Sequence, residues 1–534
     1  MRGILVILAV AACDVGEVSA LNVEPARLDL GVQLDAPTPV TFRVTSGGND
    51  VTADATYAMT GAPLGTVAAG GFHSDGRTGG RATITVTFRG VTATLPVHVF
   101  LQASRNAADS QVPGWFASAD PVVVDSELEP GDGAVLPPTL SGLDVALDPP
   151  AGDDVYDVEF LNADLDLHVY GSGGVATLNA AEWDAVSRTS RGKPVELIAR
   201  SLATATPTTS HVVSAHMAVT DLPLASTVLF AGAHAGETPQ VWSYDPTRGS
   251  TQAWATDAAA ADLAISRDSQ RIAAGLASPT DSPAASGTLL DVASRTAVVP
   301  PSSQIGLWTD AAFQPDGSLM TANAGVLTLR SGDTALPVKN LTLDVLASQP
   351  TVAHSGHALA YVDGAMDTVT TPASPQPTPQ ELRIQAWDPA TATLGASLVL
   401  APATDGVFVK YPDFSPDDRS VLYSSVPAPT GTMGDIMVSP ADASDGPFLV
   451  ASGYDMARFA SPIMSAYSGY SDPDQMVWIV MQSDRAFGGR DQTGVPQLWA
   501  VAYYPELGIA SRPIYLPGQD AKLAVQHVPA ILPH

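Results

Sequence analysis

Alternation of apolar and polar residues with period two runs through most of the chain, and long helical periodicity is nearly absent. Arg81-Ala82-Thr83-Ile84-Thr85-Val86-Thr87-Phe88 alternates strictly, Arg89-Gly90 breaks it, and Val91 to Val99 alternates again. Two such runs about a glycine turn predict a β-hairpin with one buried face. The pattern from Leu21 to Leu101 predicts a β-sandwich, residues 21–101. Residues 102–117 are polar and irregular and read as a linker. Asp153–Phe160 and Leu165–Tyr170 alternate again and predict half-buried strands of a second sandwich, residues 118–220. Within it, LNAAEWDAVS offers Asn179 as a helix cap, Glu182 at the third helical position and Trp183 as an apolar anchor, which predicts one short helix.

After Leu222 one motif recurs. DLAISRDSQRIAAG (262–275), DAAFQPDGSLMTAN (310–323), QPTVAHSGHALAYV (349–362) and YPDFSPDDRSVLYSS (411–425) each join an apolar strand to another through a short turn rich in Asp, Ser or Gly. Aligned on Ile265, Phe313, Ala353 and Phe414, the copies are 48, 40 and 61 residues apart, with a fainter one near Met464. Further apolar runs follow the copies, Leu289–Val292, Val326–Leu329, Leu382–Pro389, Ile436–Val438 and Leu498–Tyr503, and Val241–Pro246 stands before the first of them. Repeats of 40 to 50 residues made of short strands indicate propeller blades. The region opens on Val228–Ala231, which matches the second strand of a blade, and ends on residues 524–534, which match a first strand. Pairing the two closes a sixth blade and removes a free sheet edge.

Two stretches resemble known families. Residues 51–99, with a DATY strand, a GTV strand, a Gly-rich turn, ATITV and VTATLPV, resemble the bacterial Ig-like domains of surface proteins, which implies a spacer or adhesive module. The second region, less distinctive, reads as fibronectin type III-like or Ig-like. Pro412, Phe414, Ser415, Pro416 and Asp417 match the blade signature of TolB-like (WD-type) propellers. Asp418 stands where glycine is usual, and Pro315-Asp316-Gly317 restores it in another copy. That resemblance covers residues 221–534. The expected fold is therefore all-β: two sandwiches and a six-bladed propeller closed by the C-terminal strand.

Length, charge and cysteine narrow the function. A chain of 534 residues exceeds one ordinary core and implies two to four domains. The net charge of −30 is spread along the chain, which excludes nucleic acid as partner, since phosphate binding needs clustered Lys and Arg. The single cysteine, Cys13, excludes an internal disulfide. It ends MRGILVILAVAAC, whose apolar run is too short to span a bilayer and reads as an export signal. Val10-Ala11-Ala12-Cys13 resembles a bacterial lipobox, which implies cleavage of residues 1–12, lipidation of Cys13, a tether over 13–20 and attachment to a membrane. The other reading is an incidental cysteine after an ordinary secretory signal. Asp14 resembles the inner-membrane retention signal of enterobacterial lipoproteins, and the leaflet stays open.

Candidate chemistry is sparse. Asp417 and Asp418 lack the regular oxygen-ligand spacing of a Ca²⁺ loop and read as a turn. His354 and His357 flank Ser355-Gly356, again a turn, with no Cys or acidic residue following nearby. His527 and His534 have no better case as metal ligands. Trp242, Trp387 and Trp499 are taken as equivalent third-strand core residues. Asn340-Leu341-Thr342 is a chance sequon in a bacterial-looking chain. No G-x-S-x-G elbow is present, GYSDP (469–473) lacking the second glycine, and no phosphate-binding loop occurs. No catalytic residue, cofactor or metal is assigned. The expected function is a non-enzymatic, lipid-anchored envelope protein whose propeller binds a protein or glycan. The alternative is a hydrolase or lyase acting on polysaccharide through side chains at the propeller mouth.

Overall fold

The computed structural model describes residues 20–259, 263–275, 287–299, 310–323, 325–363, 380–404, 406–427, 434–460, 464–465, 475–485, 487, 495–525 and 530–532. Cys13 and the export signal, GYSDP, His527 and His534 lie outside them. The protein is all-β, with two short helices among the described residues, Val112–Ser118 and Ala180–Ser190. Neither helix is long and apolar enough to cross a membrane.

The chain divides into two compact units, Met1–Ala103 with Ala163–Asp166, and Ser104–Asn162 with Leu167–His534. In the first, the predicted hairpin is present: Gly80–Phe88 pairs antiparallel with the long strand that starts at Val91, in the register Phe88↔Val91. Arg89 and Gly90 both have positive φ, the geometry of a two-residue hairpin turn. Ile84, Val86, Leu95, Val97 and Leu101 alternate into the core. Leu28–Gln33 pairs with this long strand in parallel, Val97↔Leu28.

The second unit begins with order where a linker was expected. The long strand runs to Asn106, and Val112–Ser118 is helical. Val112 and Phe116 pack against Val155, Tyr170 and Leu202, so two apolar residues in a polar stretch suffice to dock it. Helix Ala180–Ser190 carries the expected capping box: the Asn179 side chain accepts from the backbone of Ala181 and Glu182, and Glu182 caps Asn179 in return. Trp183 is fully buried. Strand Val155–Asn162 departs from expectation, because residues 155–160 are buried on both faces. Asp157 and Glu159, which in sequence mark a solvent face, are enclosed and neutralised by Arg200.

From Thr227 onward the unit is a series of antiparallel meanders. The first pairs Thr227–Ala233, Gln240–Asp245 and Ser250–Ala259. The second, third and fourth are four-stranded sheets within residues 263–299, 310–340 and 347–401. A nine-stranded sheet comes next, in which Phe448–Phe459 closes one meander and opens another. Ala524–Val525 and Ala530–Leu532 pair antiparallel with Thr227–Ala233. The inner strands neighbour one another in cyclic order: Leu263–Ile265, Asp310–Phe313, Ala347–Val352, Phe408–Phe414, Phe448–Phe459, Ala530–Leu532, and back to Leu263–Ile265.

The recurring hairpin turns alike in all four copies. The N–H of Ser269, Gly317, Gly356 and Asp418 donates to the carbonyl of Ser266, Gln314, Ala353 and Ser415 respectively, and all four donors have positive φ. That conformation suits glycine, which explains the signature and makes Ser269 and Asp418 exceptions. Asp417 and Asp268 accept from the backbone two residues on, Arg419 and Gln270, so the turn reading holds. The turns also correct the alignment by one residue. Ala353 stands level with Ser415, and Val352 is the counterpart of Phe414, Phe313 and Ile265.

The tryptophans are not equivalent either. Trp242 lies three residues before the turn aspartate Asp245 and is half-buried, whereas Trp387 immediately precedes Asp388 and donates to Gln314 Oε1. Trp499 is mid-strand opposite Met481, fully buried.

No break separates residues 118–220 from the meanders. Trp478 Nε1 donates to Leu222 O, Leu224 and Thr139 exchange hydrogen bonds, and Arg512 Nη2 meets Glu129 Oε1 at 2.8 Å.

Candidate functional site

The inner strands of the meanders surround a cavity of about 660 Å³. Its wall is set by strand register. The penultimate ladder position of each inner strand faces it, and this position is Ala264, Ala312, Thr351, Asp413 and Arg458 in the second to sixth meanders. Ile531 lines the same space. In the last three of these strands a bulge precedes the position, between Ser348 and Thr351, Lys410 and Asp413, and Asp455 and Arg458. A bulge re-aims the side chain after it, and two of the three re-aimed residues are charged.

The turns supply the remaining polar groups. Their second position is proline in two copies, Pro315 and Pro416, but Arg267 and His354 in the others, and both of these line the cavity. Arg267 Nη2 donates to Val352 O at 2.8 Å, which draws the guanidinium across from the second meander to the fourth. Arg458 Nη1 donates to Tyr411 O at 3.0 Å.

Enclosure sets the electrostatics. Arg267 is open to the cavity yet flanked by protein, and desolvation lowers its pKa, partly opposed by Asp413 and Asp418. Burial also lowers the pKa of His354, the Arg267 guanidinium adds to this, and the same two carboxylates oppose it. At neutral pH His354 is therefore an uncharged imidazole. Desolvation acts to raise the pKa of Asp418, but the N–H groups of Ser355 and His354 outweigh it and bring the carboxyl below its ordinary value.

Among the described side chains weighed for chemistry in sequence, only His354 reaches this wall. His357 is exposed, and the acidic partner that His354 lacks in sequence arrives in space, with Asp418 Oδ1 3.3 Å from Nδ1. One carboxylate on one imidazole is not a metal site. Arg267, Asp413 and Arg458 passed unnoticed in sequence, although aligning the turns exposes Arg267 and His354 as departures from proline.

A second cluster lies on the sheet of residues 155–202. Asp157, Glu159 and His168 bring their ligand atoms within 4.8 Å of one another. Arg200 Nη1 is 3.2 Å from Asp157 Oδ2, Nη2 pairs with Glu159, and His168 Nδ1 is 2.9 Å from Asp157 Oδ1. The guanidinium takes the place of a cation, and the donor set fits a metal poorly.

No family model matches the chain, and no curated protein does. Solved structures similar to it include a TolB candidate from Agrobacterium tumefaciens, 13% identical over 58% of this chain and 98% of that one, with a TM-score of 0.32. An auxiliary nutrient binding protein from Bacteroides thetaiotaomicron is 10% identical over 62% of this chain and 86% of that one, with a TM-score of 0.31. An oligogalacturonate lyase in complex with manganese is 13% identical over 53% and 72%, with a TM-score of 0.30. At such scores the likenesses add no residue to the site, which rests on the geometry above.

Proposed function

We propose that the chain is an exported envelope lipoprotein, anchored through Cys13, that binds a protein or glycan ligand in the central cavity of a six-bladed β-propeller. The two sandwiches, 21–101 as a bacterial Ig-like module and 118–220 as a fibronectin type III-like or Ig-like one, act as spacers. Blade closure is supported by the pairing of Thr227–Ala233 with Ala524–Val525 and Ala530–Leu532, and by the cyclic order of the inner strands.

The observation that carries the binding reading is the cavity wall. It has the volume of a ligand site, is mainly apolar, and holds a few convergent polar groups. Ser266 lines the wall too, and its hydroxyl donates to Asp268 Oδ1 at 2.6 Å and accepts from the backbone N–H groups of Gln270 and Arg271, which ties it into its own turn. Filling the cavity with Ala312→Trp should abolish ligand capture while leaving the fold intact. The anchor has its own test: the wild-type chain should partition into detergent and Cys13→Ala into water, and a wild type that stays in water would overturn it.

One observation favours the alternative, a hydrolase or lyase acting on polysaccharide. His354 is neutral at the cavity wall beside the Arg267 guanidinium, and a neutral imidazole can take a proton in such chemistry. Turnover of an acidic polysaccharide that His354→Gln abolishes would establish this reading in place of simple binding.

A further inference from the structure

We propose that the cavity selects a ligand carrying one carboxylate on an apolar body, with the carboxylate held by the Arg267 guanidinium. The proposal rests on the reading of the cavity as a binding site and names the ligand's chemistry.

Arg267 carries the argument. Residues at its turn position are prolines in two sister hairpins, so the fold does not need a cation there. The side chain is exposed along the cavity, so its guanidinium is presented to a ligand rather than sealed in protein. Among the described residues it forms no ion pair. Its hydrogen bond to Val352 O uses one Nη2 proton, and a guanidinium has five N–H donors arranged as a fork that matches a carboxylate. That bond fixes the group in place before a ligand arrives, which lowers the ordering cost of binding.

The fork of Arg267 sets the number of carboxylates. Among the described residues the cavity wall carries the guanidiniums of Arg267 and Arg458 and the carboxylate of Asp413, while His354 is neutral. Asp418 does not line the cavity, and its oxygens accept from the His354 and Ser355 backbone. Arg267 presents one open fork, which one ligand carboxylate fills, in a chain whose net charge is −30. The apolar body is called for by Ala264, Ile265, Ala312, Pro416 and Ile531, half-buried residues that line the same space.

Isothermal titration of the full chain carrying Cys13→Ala, with 4-phenylbutyrate and its uncharged amide as matched probes, tests this. The acid should bind at least about tenfold more tightly than the amide, a difference of about 1.4 kcal/mol. Arg267→Gln should erase that preference without lowering the unfolding temperature, and Ala312→Trp should abolish binding of both probes. Equal binding of acid and amide, or a preference that survives Arg267→Gln, would overturn the carboxylate inference and leave cavity binding standing. Acid binding that survives Ala312→Trp would place the ligand elsewhere and overturn it too. Binding of neither probe would overturn the inference and count against a small-molecule ligand altogether.

Discussion

The carboxylate of Asp418, in the turn of the fifth meander, accepts the backbone N–H of His354, in the turn of the fourth, and its other oxygen accepts that of Ser355. This clasp explains an aspartate at φ +62°, where sister turns use Gly317 and Gly356. Asp418→Gly would relieve the backbone but orphan two N–H groups. Hydrogen bonds to a charged group contribute about 1.5–3 kcal/mol each, more than the gain of about 1 kcal/mol expected from glycine at such a position. Net destabilisation by urea unfolding is expected, and a more stable Asp418→Gly would contradict the clasp.

His354 makes stability depend on pH. Its pKa is 6.5 in the unfolded chain and lower in the folded one, because of burial and Arg267. Between the two values the unfolded chain binds more protons. This group's contribution is therefore complete above pH 6.5 and is lost as pH falls towards the folded value. Wild type should lose stability relative to His354→Gln between about pH 7.5 and about pH 5. Parallel stability curves would show that the imidazole is not held neutral.

Arg512 and Glu129 tie the sheets before Leu222 to the last meander. Burial raises the Glu129 pKa and the Arg512 pair opposes the rise. The fit is close: a Cβ on Gly131 would lie 2.4 Å from Arg512 Cζ. Arg512→Ala strands a buried carboxylate and should cost about 1–3 kcal/mol. Adding Glu129→Gln should recover part of the loss in thermal unfolding, and no recovery would show that the pair's charge does not matter.

Phe414 is 1% exposed in a cluster with Val409, Val421 and Tyr423. Phe414→Ala should cost about 3–5 kcal/mol in denaturant unfolding. Deletion of residues 524–534 exposes the edge of Thr227–Ala233 and should cause aggregation or loss of cooperative unfolding. An unchanged unfolding temperature for that truncation would contradict closure by the C-terminal segment.

The hairpins were legible in sequence because their alternation and turn residues answer to local chemistry. Phe88↔Val91 and the turn at Asp417-Asp418 are both of this kind. The burial of Asp157 and Glu159 was not legible, since their neutralising partner Arg200 is more than 40 residues away in sequence. The docked helix at Val112–Ser118 likewise depends on a distant apolar surface. The cavity wall was half legible. The repeat marks which positions are equivalent, but the bulges that aim Asp413 and Arg458 leave no trace in composition, and one misplaced residue at Ala353 hid the column containing Thr351.

Recognition through the cavity is decided by capture from envelope extract with the intact chain and with Ala312→Trp, matched for unfolding temperature. Cavity binding predicts that the intact chain retains a defined protein or glycan and that Ala312→Trp loses it by at least about tenfold. Equal retention by both chains would place recognition outside the cavity and refute cavity binding.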